Sequence, residues 1–472
     1  MEKKKTGILI RWLIVLGCGG LIAIIAPPEG VTREAWMLLA IFVATIVGSI
    51  VQPMTGSAMV LLGVIATAVF GVLKIETSLS GYADKYVWLV LAAFFISRAM
   101  IKTGLGHRIA LLLVRLIGKK TLGLGYSLVI TDFVLASFVP STGARSGGII
   151  LPIARSVSET YDSRPDDGTA GKLGTFLMNL IYQCEVILCA TFLTGQASNM
   201  MIRSLASQHA NIDLNYSAWF VAAIVPSIVS LTVIPLMIYK LFPPEIKETP
   251  NAVQFAHDEL EKLGALKTAE KILLVVFVFV VALWITAPFH GIDATVIALL
   301  GIAFLLITQV LDWSDVTNET HAWEVFIWYG GLVMMATQLG KTNLPTLFAE
   351  AVAAQMNGWS WTAALIVLAL VYFYAHYGFA SITAHVTAMF VPFLVVSIAV
   401  GAPAGLTVLV LTYFANLSAG LTHYGTTPAP VYFGTGYVKQ SQWWTIGLIA
   451  SILNILIWST VGLGWWKMLG WW

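Results

Sequence analysis

Apolar segments close to the length of a bilayer crossing recur along the whole chain, at residues 8–26, 35–52, 56–73, 86–101, 122–139, 173–193, 216–241, 270–289, 292–311, 325–340, 360–378, 403–420 and 443–464. A spanning helix needs roughly 20 apolar residues, which leaves about 11 full crossings once the shorter segments are discounted. Only 11% of the residues are charged, against about 25% in soluble domains. These features describe an all-α polytopic membrane protein with the lipid bilayer as its solvent. The net charge of +2 gives no sign of nucleic-acid binding. No G-x-x-x-x-G-K-[ST] loop and no H-E-x-x-H pair is present, so neither an ATP-driven pump nor a zinc protease is implied. Cys18, Cys184 and Cys189 lie in apolar segments and read as small core residues; no metal or cofactor is expected. The first apolar run follows Lys3–Lys5, lacks an A-x-A cleavage site and ends at Pro27-Pro28. It reads as an uncleaved first helix, with a signal peptide as the alternative.

Two polar stretches interrupt this pattern in matching form. Ser141-Thr142-Gly143-Ala144-Arg145 runs on through Ile149-Ile150-Leu151 to Pro152, and Ser381-Ile382-Thr383-Ala384-His385 runs on through Met389-Phe390-Val391 to Pro392. Their offset is 240 residues (381 less 141). A second landmark repeats at 239 (341 less 102), where Lys102-Thr103-Gly104-Leu105 and Lys341-Thr342-Asn343-Leu344 each follow an apolar segment. A repeat at a fixed offset indicates duplicated units. We divide the chain into an N-terminal region with the first helix (1–49), a first repeat (50–245), a cytoplasmic linker (246–269) and a second repeat (270–472).

Charge suggests how the repeats are oriented. The segment after the first Lys-Thr pair carries His107, Arg108, Arg115, Lys119 and Lys120, whereas its counterpart at 343–359 carries only Glu350. Basic segments stay cytoplasmic, so equivalent segments lie on opposite sides, as in an inverted-topology repeat. Each segment is amphipathic and suited to lie along the membrane surface. The N-terminus and the polar 240–271 linker are assigned to the cytoplasm, with a surface helix expected at 258–271, and 155–172 reads as an exposed loop.

Irregular backbone at membrane depth is tolerated where it lines a cavity or is buried in protein. Besides the two hairpin motifs, Thr194-Gly195-Gln196-Ala197-Ser198-Asn199 and Thr422-His423-Tyr424-Gly425-Thr426-Thr427-Pro428 would each unwind a helix in mid-span. Half-helix N-termini attract anions, and the carbonyl ends can hold a cation. Hydroxyls of Ser141, Thr142, Ser381, Thr383, Thr426 and Thr427, with the Asn199 amide, can donate to carboxylates. Four such breaks meeting at mid-membrane would form one pocket for a small anion. The alternative reading of an isolated Ser or Gly is a helix-packing position.

With these motifs the chain resembles the divalent anion:sodium symporter family, most closely its branch of citrate/succinate antiporters and plastid-type 2-oxoglutarate/malate translocators. The resemblance covers nearly the whole chain. It is strongest in the two hairpin motifs and in His423-Tyr424-Gly425-Thr426-Thr427-Pro428. It implies a homodimer in the cell membrane, each protomer with a scaffold and an elevator-type transport domain. Two re-entrant hairpins and two unwound helices would form the substrate site. By that resemblance the substrate-binding residues are Ser141, Thr142, Gly143, Arg145, Ser198, Asn199, Ser381, Ile382, Thr383, His385, Gly425, Thr426, Thr427 and Pro428. Sodium-coupled members carry Ser-Asn-Thr at each hairpin tip. Here the Asn is replaced twice, by Thr142 and by Ile382.

Arg145 and His385 stand four residues after the two serines. A charge in a membrane interior is costly and usually functional. The expectation is that these two side chains supply the positive charge that sodium supplies elsewhere, which favours exchange over net uptake. The alternative is that Arg145 pairs with an acid such as Asp132 and that His385 is merely packed. Asp132 and Glu185 are expected to neutralise a neighbouring base or to couple protons; His376 and His423 read as structural, with His423 close enough to the second break to matter. The function expected is exchange of malate, succinate, fumarate, 2-oxoglutarate, tartrate or citrate, with sodium- or proton-coupled symport as the rival. A Ser146–His385 protease dyad is the remaining alternative, and Ala144-Arg145-Ser146-Gly147 lacks the G-x-S-G form it would need.

Overall fold

The structure is a computed structural model that describes residues 2–356 and 358–472, with side chains from Gly7 onward. It is 79% helical, and no strand occurs among the described residues. Ten helices among them are long and apolar enough to cross a membrane, one fewer than the count expected from the sequence. Short turns aside, the first half comprises α1 (Glu2–Ile24), α2 (Arg33–Val51), α3 (Gly56–Val69), α4 (Lys85–Thr103), α5 (Leu105–Ile117), α6 (Thr121–Ala136), α7 (Leu151–Thr160), α8 (Gly174–Thr191), α9 (Ser198–Ala210) and α10 (Tyr216–Leu241). The second half comprises α11 (Pro250–Leu263), α12 (Thr268–His290), α13 (Ala294–Ile307), α14 (Thr320–Gly340), α15 (Leu344–Gln355), α16 (Trp361–Tyr374), α17 (Ile382–Ala399), α18 (Ala404–Leu417) and α19 (Gln440–Met468).

Local chemistry sets many of the boundaries. Thr32, Asp84, Asn215, Asp293 and Ser360 each cap the helix that follows by accepting a backbone N–H, which satisfies donors the first turn leaves free. The surface helix expected at 258–271 lies instead at Pro250–Leu263. Pro250 stands in the first turn, where its missing N–H costs nothing, and Gly264 ends the helix at φ +66°, a left-handed conformation that glycine adopts without strain. This helix packs on α5. There Arg108 donates to Glu270 at 2.7 Å and to the Gly264 carbonyl at 2.8 Å.

Burial separates the inner helices from the outer ones. The apolar windows of α8 and α18 are 94% and 89% buried, whereas those of α1 and α12 are 11% and 22% buried. Thus α8 and α18 form the centre of the molecule, while α1 and α12 present apolar side chains outward, as lipid-facing helices must. One packing group comprises α2, α3, α4, α13 and α14; another comprises α6, α8, α9, α16, α17 and α18.

The chain breaks where the paired motifs predict. After α6, residues 137–141 interrupt the helix before Gly143–Ile150, wound as a π-helix, leads into α7. After α16, a tight turn at Ala375–Gly378 precedes α17. Each two-legged unit packs on itself. The helices α8 and α18 likewise end in short tight turns, Leu193–Gly195 and Ser418–Leu421, before the chain resumes. Tyr182 and Gln183 of α8 donate to the carbonyls of Ala419 and Gly420 at 2.7 and 3.0 Å, so the turn that ends α18 is held against the middle of α8.

Candidate substrate site

The four breaks converge on a cavity of about 450 Å³. One wall is made by Pro140–Gly143, Gln196–Ser198, Ala380–Ala384, Thr387, Thr426 and Thr427. The opposite wall comes from α2 (Ile46, Ser49), from Gln52 and Thr55–Ser57 at the α2–α3 junction, from Val60 and Phe94, and from α14 (His321, Glu324, Val325, Trp328, Leu332). Ser381 occupies the N-cap of α17 without bonding back to the helix, leaving its hydroxyl and the first N–H groups of α17 available to a guest. Ser198, at the start of α9, meets Thr383 of α17 hydroxyl to hydroxyl at 2.5 Å, joining the first break to the second hairpin. Ser141 accepts from the Ala144 N–H at 3.2 Å.

No Lys or Arg side chain lines the cavity among the described residues. What it offers a guest is therefore hydroxyls, amides and two helix N-termini, groups suited to carboxylate oxygens. A cavity of this size lies within the usual range for small-ligand sites.

Of the residues expected to bind substrate, Ser141, Thr142, Gly143, Ser198, Ser381, Ile382, Thr383, Thr426 and Thr427 line the cavity. Arg145, Asn199, His385, Gly425 and Pro428 lie behind it. Arg145 is fully buried and its Nε donates to Asp132 at 2.7 Å. Its Nη1 donates to the carbonyls of Val139 and Gly195 at 2.8 and 2.6 Å. These carbonyls flank the hairpin tip and the first break, so the guanidinium is seated where the backbone presents a cation-holding end. The pair with Asp132 also cancels the charge of Arg145, and Arg145 is not among the residues that line the cavity. Direct compensation of the substrate's charge by Arg145 is thus not what this geometry offers. A buried arginine takes the nearest carboxylate because an unpaired charge there is far costlier.

Asn199 is a brace. Its amide donates to the carbonyls of Cys189 and Phe192 at 2.7 and 3.0 Å and accepts from Asn416 of α18 at 3.0 Å. Gln196 donates to both Asn199 and Asn416, so one amide network ties the first break to the other half of the chain. Pro428 caps the short turn Ala429–Phe433, its carbonyl accepting from Val431 and Tyr432. Gly425 is close-packed and its carbonyl accepts from His376 Nε2 at 2.8 Å. His385 is buried against His376, Nδ1 to Nδ1 at 3.0 Å. Glu185 is wholly buried with neither carboxylate oxygen bonded.

Sequence reasoning missed the opposite wall. The polar run Gln52-Pro53-Met54-Thr55-Gly56-Ser57 between two apolar segments was an available signal for one part of it. Nothing local marked His321, Glu324 or Trp328.

The chain matches the family model described as sodium:sulfate symporter transmembrane region over residues 6–472. It is 47% identical to the Bacillus subtilis (strain 168) protein YflS, whose name marks it a candidate malate transporter, over 98% of this chain and 97% of that one. It is 42% identical to the chloroplastic dicarboxylate transporter 1 of Arabidopsis thaliana, covering 99% of this chain and 84% of that one. It is 30% identical to the L-tartrate/succinate antiporter of Shigella sonnei, covering 96% and 97%. Among solved structures it resembles the YdaH transporter of Alcanivorax borkumensis, with a TM-score of 0.53 over 98% of each chain at 14% identity, a likeness of fold alone. Matched along almost its full length, the chain belongs to the sodium:sulfate symporter transmembrane-region family, the divalent anion:sodium symporters, and is a multi-pass membrane transporter and not an enzyme.

Proposed function

We propose that this protein exchanges dicarboxylates and related anions, of the malate, succinate, fumarate, 2-oxoglutarate, tartrate or citrate class, across the cell membrane without sodium. The observation that carries this reading is the seat of Arg145. Its guanidinium bonds the Val139 and Gly195 carbonyls, so a fixed cation already holds these two carbonyls between the first hairpin and the first break. The named relatives point to the same substrates: one is a dicarboxylate transporter and another a tartrate/succinate antiporter.

The chemistry of the cavity supports exchange over net uptake. Its hydroxyls and helix N-termini are hydrated when open to water and satisfied by carboxylate oxygens when loaded. An empty site that leaves water strands them, at about 1–3 kcal/mol for each unmet buried donor. The loaded protein therefore crosses far more readily than the empty one. The crossing itself is proposed as an elevator movement, because the cavity lies between two packing groups: the hairpins and breaks move against the wall of α2, α3 and α14. Inverted repeats at 50–245 and 270–472, a homodimer and a cytoplasmic N-terminus complete the proposal.

Glu185 favours a second reading, proton-coupled symport. A wholly buried carboxylate without a partner is a place to hold a proton. One experiment separates the two: uptake of labelled succinate, malate or citrate into proteoliposomes, with or without internal unlabelled dicarboxylate, in sodium or choline buffer. Exchange predicts uptake that requires internal substrate and ignores sodium. Uptake into empty vesicles driven by a sodium or proton gradient would overturn it. In choline, Arg145→Gln is expected to reduce exchange to background; intact exchange would show that the break needs no cation.

A further inference from the structure

Both ends of α5 meet the same linker. Near its start, Arg108 donates to Glu270 in the first turn of α12 and to the Gly264 carbonyl. Just past its end, the carbonyls of Gly118 and Lys119 accept from the Thr249 hydroxyl and N–H, each at 2.7 Å. A helix whose two ends touch one linker lies along that face of the molecule. Its 13 residues are in any case too few to cross a bilayer. Along the chain it joins α4 of one packing group to α6 of the other.

The helix packs inward through Leu105, Ala110, Leu111 and Val114. Leu112 and Leu116 are four residues apart and so share one side of the helix; they are 41% and 72% exposed. Beside them, cations are gathered from four separate segments. Lys120 and Glu248 pair backbone to backbone as an isolated antiparallel bridge, and the Thr121 N–H donates to the Lys247 carbonyl at 3.0 Å. The same strip runs on to the 155–172 loop, where the Ile246 N–H donates to the Lys172 carbonyl at 3.1 Å. Lys247 Nζ lies 4.6 Å from the centroid of the Tyr239 ring, next to Lys240 in the last turn of α10.

Arg115, Lys119, Lys120, Lys172, Lys240 and Lys247 thus collect where α6 begins and α10 ends. All but the half-buried Lys172 are exposed. Ion pairs do form on this face, among them Arg108–Glu270, Arg155–Glu159, Arg164–Asp162 and Lys262–Glu259. Among the described residues, none draws on the six. The acids on the same strip are Glu245 and Glu248, so cations remain in excess. Exposed leucines beside unpaired cations, at the end of a spanning helix, fit a surface seated among anionic headgroups.

We propose that this surface binds anionic phospholipid. Headgroup phosphates lie against Lys119, Lys120, Lys240 and their neighbours, and acyl chains run along Leu112 and Leu116. The link between the two packing groups is thereby anchored to the bilayer. A zwitterionic lipid offers the leucines the same chains, but its own ammonium cancels its phosphate. Preference for net negative charge is therefore the signature, and it holds whichever anion the cavity carries.

Native mass spectrometry of the purified protein, titrated with phosphatidylglycerol or with phosphatidylcholine of the same chains, reads that preference directly. A lysine near an anionic surface contributes about fivefold in affinity, so the parent should prefer phosphatidylglycerol by about tenfold or more. Lys119→Gln/Lys120→Gln/Lys240→Gln should fall close to parity, and Lys119→Arg/Lys120→Arg/Lys240→Arg should keep the preference. Arg155→Gln/Arg164→Gln/Lys262→Gln removes as much charge from the same face, taken from side chains already paired, and should keep it too. A parent without preference overturns the proposal. So does a glutamine variant at 119, 120 and 240 that elutes as a monodisperse peak and binds phosphatidylglycerol like its parent. An equal loss in the variant at 155, 164 and 262 would show attraction by net charge alone, and would overturn it as well.

Discussion

Removing the charge of Asp132 tests whether Arg145 is held as one half of a neutral pair. Both side chains are essentially inaccessible, at 2% and 0% exposure, and the bond between them is 2.7 Å long. Deleting one partner of a buried pair costs about 3–5 kcal/mol, because the survivor remains charged with no solvent to receive it. Asp132→Asn keeps the volume, and its amide oxygen can still accept from Arg145 Nε, so the lower end, about 3 kcal/mol, applies. Arg145→Gln leaves the Asp132 carboxylate bare and frees the Val139 and Gly195 carbonyls, which places it at the upper end. The double variant carries neither charge. It should cost less than the sum of the two singles by about 2 kcal/mol or more, the mark of direct coupling. Unfolding by SDS titration from mixed micelles, followed by tryptophan fluorescence, measures all four proteins; the chain's 17 tryptophans supply the signal. Additive costs, or an Asp132→Asn protein that unfolds like its parent, would refute the neutral-pair account. It would then restore the expectation that Arg145 acts on substrate as a free cation.

The hydroxyl contact between Ser198 and Thr383 should be worth about 0.5–1.5 kcal/mol. Ser198→Ala and Thr383→Val should therefore each raise the exchange KM up to about tenfold, with the double variant little worse than either; additive effects would show that the two residues act separately. A side chain at Gly425 would place its Cβ 2.6 Å from the Ala419 carbonyl and 3.1 Å from His376 Nε2. Gly425→Ala should abolish exchange in a protein that still elutes as a monodisperse peak, and normal exchange would mean that the break is loose. Glu324 puts a carboxylate in the wall of the cavity proposed to take an anion, with His321 at 3.6 Å. At about 1 kcal/mol of repulsion in a watery cavity, Glu324→Gln should lower the KM for succinate roughly fivefold, and for a trianion more; unchanged values would place that side chain clear of the anion's path.

The sequence by itself determined the helical membrane class, the places where helices break and the hydroxyl-bearing half of the cavity. These are local properties. A run of apolar residues needs no distant partner to form a helix in lipid, and a Ser-x-x-Ala motif after an apolar run marks where each hairpin turns. Even the 250–263 helix had local signals in Pro250 and Gly264, although charge had placed it eight residues too far along. Only the tertiary structure decided where the charged side chains point. Arg145 and Asp132 are 13 residues apart, and whether they meet depends on the hairpin folding back, not on either residue's neighbours. The same holds for the two imidazoles across the second hairpin, for the Gln196–Asn199–Asn416 network, and for the second cavity wall from α2 and α14. A buried polar group goes to whichever partner the packing brings within reach. That choice is set by contacts between distant segments, for which a single sequence carries no local mark.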